Sequence, residues 1–234
     1  MFNNFFLKNE KNRIKWVSQT LWKIKKWESI LDAGAGEMQY KKYCNHLLYT
    51  SQDFNEYDGK WDGIGWQMWE WQRKTDITSD ITTIPVNNNS FDNILCTEVF
   101  EHIPYPDDAI REFSRVLKKW WRLILTAPFC SLTHFSPYYF CNGFSEYWYK
   151  DILSKYDFEI LELEKNGNYF NYLEQESARI PLMARRYCKS NYFMFTILGF
   201  FSFVQILLLK YLSKKDTWSN EMLYFGTHII AIKK

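Results

Sequence analysis

Glycine is scarce in this chain, 9 residues in 234, where about 7% is usual. Charge imbalance is absent too: the formal net charge is +2, so no broad electrostatic grip on nucleic acid is expected. The five cysteines, Cys44, Cys96, Cys130, Cys141 and Cys188, are odd in number and show no metal-ligand spacing. The apolar start Met1–Phe6 is too short for a signal-peptide core and has no cleavage site. Reduced thiols, a cytoplasmic protein and no metal site are the resulting expectation. No repeat or low-complexity tract breaks the chain into an array.

What is present is an ordinary globular balance, 47% hydrophobic and 24% charged, with 11 tryptophans as its one excess. That length and balance suit one large domain, or one domain with an appendage. Residues Asn12 to Trp27 read as a basic amphipathic helix carrying Ile14, Val17, Leu21 and Ile24 on one face. Ser29–Ala33 reads as a strand, followed by a glycine-rich turn and a helix over Met38–Cys44. Further strands are expected at His46–Thr50, Asp76–Thr78, Phe91–Thr97, Arg122–Ala127, Phe158–Glu164 and Gly226–Ile232, with a loop over Phe54–Lys74. Helices are expected over Asp107–Lys119 and Ser145–Ser154. Alternation of this kind implies a mostly parallel sheet covered on both faces, hence an α/β fold.

The chemistry lies in Asp32-Ala33-Gly34-Ala35-Gly36, directly after the first strand. Gly34 and Gly36 let the backbone turn sharply and let a ligand approach main-chain amides, at the strand end where α/β proteins bind ligands. A dinucleotide fingerprint needs a third glycine where Gln39 stands, and Asp32 would repel a pyrophosphate. A cationic ligand fits better, and S-adenosylmethionine combines an ammonium, ribose hydroxyls and an adenine amine. Asp53 ends the second strand at the distance along the chain expected of a ribose-binding acid. Asp80 lies in a loop suited to the adenine edge.

These segments, taken in order, resemble the class I S-adenosylmethionine-dependent methyltransferase superfamily, in the branch of small-molecule methylases of quinone and related biosynthesis. Carrying the resemblance are Asp32–Gly36; Asp80-Ile81 with Ile84-Pro85 and Ser90-Phe91-Asp92; Glu98-Val99-Phe100-Glu101-His102-Ile103; Arg115-Val116-Leu117-Lys118; and Leu125-Thr126-Ala127-Pro128. It covers Trp27 to Glu164, with Gly226–Lys233 as the closing hairpin strand. The resemblance implies a three-layer Rossmann-like sandwich whose mostly parallel seven-stranded sheet has an antiparallel last strand. It implies methyl transfer by in-line displacement, with Asp32, Ala33, Gly34 and Gly36 at the methionine end of S-adenosyl-L-methionine. Asp53 falls at the ribose, Asp80 and Ile81 at the adenine, and Thr97 and Glu98 beside the methyl group. The corresponding division is a helical extension over 1–27, the methyltransferase domain over 28–165 and 224–234, and a helical insertion over 166–223.

Glu101 and His102 are candidate catalytic residues, with a loop-holding hydrogen bond as the alternative for the imidazole. His134, in Thr-His-Phe-Ser-Pro after the fifth strand, is the preferred general base, and a loop-stabilising histidine explains it nearly as well. The aromatic run from Phe135 to Tyr149 reads either as an acceptor pocket or as core beneath a long loop. Nicotinamide oxidation is disfavoured by Gln39, and a non-catalytic role by the intact acids and glycines. Nucleic-acid methylation is disfavoured by charge and by the lack of an Asn/Asp-Pro-Pro-aromatic segment. A small-molecule or lipid-linked acceptor is expected.

Two features depart from the family pattern. Trp120-Trp121 stands where relatives usually have glycines, and Trp61, Trp69, Trp27 and Trp218 also occupy glycine-like contexts. The codon UGA is read as glycine in some bacterial lineages, so several of these tryptophans are expected to be glycines in the native protein. Codons other than UGA, or an intact mass matching the tryptophans, would refute this. The second departure is Tyr192–Leu209, apolar and uncharged, at the threshold of bilayer-spanning length. The last strand must rejoin the same sheet, so peripheral contact with the inner face of a membrane is expected, assisted by Arg185, Arg186, Lys189, Lys214 and Lys215.

Overall fold

Strands buried on both faces must be apolar at successive positions, and three segments here are: Ile30-Leu31, Ile94-Leu95-Cys96 and Leu123-Ile124-Leu125 are all 0% exposed. The computed structural model describes residues 8–56 and 74–234. Its strands are β1 (Ser29–Ala33), β2 (Leu48–Asp53), β3 (Ile77–Thr78), β4 (Phe91–Thr97), β5 (Leu117–Pro128), β6 (Phe158–Asn166) and β7 (Gly226–Lys233). Its α-helices are α1 (Lys8–Trp22), α2 (Pro106–Val116), α3 (Glu146–Lys155), α4 (Tyr169–Tyr187) and α5 (Tyr192–Lys215). The strands form one seven-stranded sheet in the order β3-β2-β1-β4-β5-β7-β6. β1 pairs in parallel with β2 and β4, β4 in parallel with β5, and β7 antiparallel to β5.

Strand alternation divides the core into two layers. Leu31, Ile94, Cys96, Leu123 and Leu125 face α2 and α3 through Ile110, Phe113, Val116, Tyr149 and Leu153. Ile30, Leu95 and Ile124 face the opposite way, onto Trp16, Val17 and Leu21 of α1. The result is the expected three-layer α/β sandwich. Chain order reverses direction between β1 and β4, so the crevice beyond their carboxyl ends is the switch point where such sheets bind ligands.

Several element boundaries differ from the sequence reading. The first helix ends at Trp22 rather than Trp27, because the chain turns through Trp27 at φ 73°. The helix expected over Met38–Cys44 is reduced to a turn and the short 3-10 helix Lys41–Tyr43, with Met38 at φ 56°. The second strand runs to Asp53, so that acid lies in the strand's last position. The helix expected to reach Lys119 stops at Val116. The residues after it bulge within β5, since Phe91 pairs with Leu117 but Asn93 with Arg122. Trp120 lies in that bulge at φ 70°. Trp121 packs against the core instead, Trp218 has a negative φ of −163°, and Trp61 and Trp69 lie outside the described residues.

The chain divides into two compact units. Ile14–Glu164 with Gly226–Lys234 holds the sheet. The boundary after Arg13 differs from the expected one at residue 27, because Trp16, Val17 and Leu21 belong to the sheet's core. The other unit comprises Lys165–Phe225 and the described part of Met1–Arg13. Within it α4 and α5 run antiparallel: Asn168 Nδ2 donates to Ser213 Oγ and Asp216 Oδ2, both at 3.2 Å, at one end. At the other end the Arg185 guanidinium lies 4.5 Å from the Tyr192 ring centre. Among the described residues α5 is the one helix long and apolar enough to cross a membrane, and most of its apolar window is exposed.

Candidate active site

The bend after β1 is built by backbone geometry that side chains resist. Gly34 and Gly36 sit at φ 71° and 49°, a region costly for residues with a Cβ. A Cβ on Gly34 would also come within 2.5 Å of Val99 Cγ2. The neighbouring strand holds the bend open: Gly36 N donates to Asp53 Oδ2 at 2.9 Å, Gly34 N to Gln52 Oε1 at 3.3 Å, and Ala35 N to Gln52 O at 2.9 Å. Asp53 Oδ1 accepts from Asn55 N at 3.0 Å. Ala33, in between, is fully buried in the core.

Asp32 is 2% exposed and its Oδ2 accepts from Tyr49 Oη at 2.6 Å. Burial pushes its carboxyl up to about 7; the Tyr49 hydrogen bond opposes that rise and the Asp53 charge adds to it. A buried acid on the edge of ionisation beside a side-chain-free bend suits a cationic group, whose charge would stabilise the carboxylate. Asp80 is exposed, and its Oδ1 caps the turn after β3 by accepting from Thr82 N and Oγ1, both at 2.7 Å. Ile81 is buried in the core. Thr97 closes β4, opposite Thr126. Glu98 follows at φ 53°, its N donating to Thr126 O at 2.8 Å and its Oε1 accepting from Thr126 Oγ1 at 3.0 Å.

Beyond Glu98 the three candidate catalytic residues come together. Glu101 and His102 belong to the short helix Phe100–His102, and His134 to the loop after β5. Their ligand-type atoms all lie within 4.8 Å of one another. His102 Nε2 is 3.6 Å and His134 Nε2 3.9 Å from Glu101 Oε1. The rings meet edge to face at 4.7 Å. Desolvation, then the nearby His134 charge, lowers the His102 pKa to about 4, against the opposing hydrogen bond to the Tyr138 carbonyl. His102 is therefore neutral near pH 7, and its 3.6 Å approach to Glu101 is a contact between acceptors rather than a formed ion pair.

The sequence reading missed Tyr49 and Gln52, which hold Asp32 and the bend, and gave Val99 no role of its own within Glu98–Ile103. No motif marks Tyr49 and Gln52. Their roles follow from the register Asp32↔Ser51 and Ala33↔Gln52, which strand pairing alone supplies. The aromatic run divides: Tyr149 is core, whereas Phe135 and Tyr139 stand around the two histidines.

The sheet order, the antiparallel β7 and the acid-glycine bend at the switch point define a class I S-adenosylmethionine-dependent methyltransferase fold. Residues 31–124 match the model of the methyltransferase domain family. No curated protein matches the chain in sequence. Among solved structures, the chain is similar to the 4+2 cyclase SpnF, with 16% identity, TM-score 0.55, and coverage of 95% of this chain and 81% of that one. It is similar to geranyl diphosphate C-methyltransferase from Streptomyces coelicolor A3(2), with 11% identity, TM-score 0.55, and coverage of 96% and 79%. A third is the YcgJ protein from Bacillus subtilis, with 14% identity, TM-score 0.52, and coverage of 94% and 97%. At these identities the likeness is one of fold, and since one of the three is a cyclase, the reaction must be argued from the site.

Proposed function

We propose that the chain transfers the methyl group of S-adenosylmethionine to an oxygen nucleophile on a small-molecule or lipid-linked acceptor. The observation that carries this reading is the buried Asp32 carboxyl beside the left-handed Gly34–Gly36 bend. S-adenosylmethionine supplies an electrophilic methyl carbon on a sulfonium. Asp32 holds its ammonium, the bend admits its methionine end to backbone amides, and Asp53 and Asp80 take its ribose hydroxyls and adenine amine. Thr97 and Glu98 border the reacting carbon. His134, backed by His102 and Glu101, accepts the proton that the acceptor hydroxyl releases. Positioning and exclusion of water do the remaining work. Calorimetry on the full chain tests this: S-adenosylmethionine binds, NADH does not, and Asp32→Ala abolishes binding. Indifference to S-adenosylmethionine, with Asp32→Ala unchanged from the parent, refutes it.

The exposed face of α5 supports the lipid-linked alternative. Phe193, Phe200, Phe201, Leu207 and Leu208 are each more than half exposed, and no acidic residue interrupts the chain from Ser177 to Lys215. Arg185, Arg186 and Lys189 stand at one end of the helix and Lys210, Lys214 and Lys215 at the other. An apolar face with cations at both ends lies in the plane of an anionic bilayer, with both ends at headgroup depth. Flotation with vesicles tests this: the parent rises with phosphatidylglycerol-containing vesicles, and Phe200→Glu with Phe201→Glu stays behind. Equal behaviour of the two, or a parent that never floats, overturns membrane contact and leaves a soluble acceptor.

A further inference from the structure

We propose that the lysine-rich face formed by the end of α1 and the short 3-10 helix Lys41–Tyr43 docks on an anionic phospholipid bilayer. Its use rests on the lipid-linked acceptor reading, but the face lies in the sheet-bearing unit and owes nothing to α5. Ile14–Trp27 and Met38–Thr50 contain between them six lysines, Lys15, Lys23, Lys25, Lys26, Lys41 and Lys42, and no acidic residue. The formal net charge of the whole chain is only +2, so everything outside these segments is net negative. The two segments lie side by side. Trp27 N donates to His46 O at 2.9 Å, His46 Nε2 lies 3.2 Å from Ile24 O, and Leu48 N donates to Glu28 O at 3.0 Å. Ile24, Cys44 and Leu47 share one core cluster beneath them, with Tyr43 packed against it.

Little around this face neutralises it. Lys15 acts on Glu164 and Lys41 on Asp76, in each case favouring the carboxylate, and Glu37 lines a cavity with Lys41 and Lys42. Glu28 is buried and held by Arg122 at 3.3 Å. Among the described residues Lys23, Lys25, Lys26 and Lys42 form no ion pair, and all four are exposed. Lysines kept for solubility alone are interspersed with acids, whereas these are grouped around an exposed aromatic residue. Trp22 ends α1, is 73% exposed, and lines a surface cavity of about 500 Å³ with Ser18, Gln19, Lys23 and Tyr43. Leu48, at the start of β2, adds a second exposed apolar side chain. A tryptophan seated at headgroup level, among lysines whose charge meets lipid phosphate, is how an interfacial surface engages an anionic membrane. The lysine stems cover apolar surface while their ammonium groups reach outward to the phosphates.

The test measures equilibrium partition of the full chain onto phosphatidylcholine vesicles with a rising share of phosphatidylglycerol, by co-sedimentation at low and at high salt. Each lysine near an anionic surface contributes about fivefold. Replacing Lys23, Lys25 and Lys26 together by glutamine should therefore weaken partition by about a hundredfold at low salt. High salt should erase that difference, while Trp22→Ala should lose partition at both salt concentrations because its contribution is apolar. Melting curves show that each variant folds, and Lys42→Gln supplies an independent replacement on the neighbouring helix. A triple variant that partitions like the parent, or a loss equally large on pure phosphatidylcholine, overturns the face. Tighter binding of single-stranded RNA than of phosphatidylglycerol vesicles, lost in the triple variant, overturns the bilayer as its occupant. Phe200→Glu with Phe201→Glu tests α5 in the same assay. A loss there with an unaffected triple variant overturns this face alone, the reverse pattern overturns α5 alone, and a parent that ignores the vesicles overturns both. Binding of S-adenosylmethionine by the triple variant should match the parent, which keeps this result distinct from that of the methyl-transfer reading.

Discussion

Replacing Trp120 by glycine and, separately, by alanine isolates a backbone effect from a side-chain one. Trp120 sits in the β5 bulge at φ 70° with its ring 68% exposed, and Trp27 shares the conformation at φ 73° and 66%. Both replacements remove the ring and its partial burial alike. Their difference reports only how each residue tolerates left-handed backbone. A residue with a Cβ pays roughly 1–2 kcal/mol there, and glycine gives back about 0.5–1 kcal/mol through its freer unfolded chain. Trp120→Gly should therefore be more stable than Trp120→Ala by about 1 kcal/mol, which in a chain of this length is a rise in melting temperature of about 2–4 °C. Trp27 should behave the same way. Trp218, outside the left-handed region at φ −163°, should show no such advantage for glycine. Urea and thermal denaturation of the six variants measure this directly. Equal stability of the pair at position 120, or alanine ahead, would refute the argument and with it the structural case for a native glycine. The intact mass of the protein from its natural source then decides which residue it carries.

Cofactor binding should depend on pH through Asp32. Its folded pKa is about 7 and falls when an ammonium binds beside it, so binding releases a proton below that value. Apparent affinity for S-adenosylmethionine should rise by up to about tenfold per pH unit towards pH 7 and level off above it. Flat affinity from pH 5 to 8 by calorimetry would count against Asp32 as the ammonium partner. The same shift has a stability consequence: a carboxyl raised from 3.8 to about 7 gives the folded state more protons than the unfolded one within that window, so stability falls as pH rises through it. Asp32→Asn removes that loss and should melt higher than the parent at pH 8, by at most about 4 kcal/mol, while binding no cofactor. A variant no more stable than the parent at pH 8 would show that Asp32 is not held protonated. Gly34→Ala meets both Val99 and a left-handed backbone, and should lose cofactor binding and about 2 kcal/mol or more of stability. Adding Val99→Ala relieves only the steric part, so a full rescue of stability would discount the backbone contribution.

The parts of the site that could be read from sequence share one property: their chemistry lies within a few adjacent residues. Asp32-Ala33-Gly34-Ala35-Gly36 and Glu98 to His102 announce a bend and an acid-imidazole pair before any tertiary contact is known. Tyr49 and Gln52 could not be found this way, because each acts across strands through pairings 17 residues or more along the chain, Gly34 N to Gln52 and Tyr49 to Asp32. The meeting of His134 with Glu101 is similar, since it depends on how the loop after β5 folds back, with Phe140 N donating to Glu101 O at 2.9 Å. Strand identities were legible because Phe91–Thr97 and Arg122–Ala127 are apolar runs. Their limits were not, because a bulge at Lys118–Trp121 leaves no hydrophobic signature. The hairpin of α4 and α5 was readable only as an apolar stretch with basic flanks.

Two groups among the residues with left-handed backbone differ in a way that bears on function. Glu98 at φ 53° follows the last residue of β4, and Phe135 at φ 56° adjoins His134. Both stand at the rim of the candidate site, where costly backbone is expected to be retained because it aims side chains. Asn55 and Asn89 are asparagines, which tolerate the conformation. Trp27 and Trp120 have neither justification: each residue is mostly exposed, and the Trp27 backbone N–H is given to His46 O at 2.9 Å rather than to the candidate site. A bulky residue held in glycine's conformation, away from any ligand and with little burial in return, is what a glycine position filled by tryptophan looks like. The same reasoning, applied to Asp32, points the other way. An acid buried at a cost in stability, offset only in part by the Tyr49 hydrogen bond and set beside a left-handed glycine bend, is an arrangement that a bound cation would relieve further.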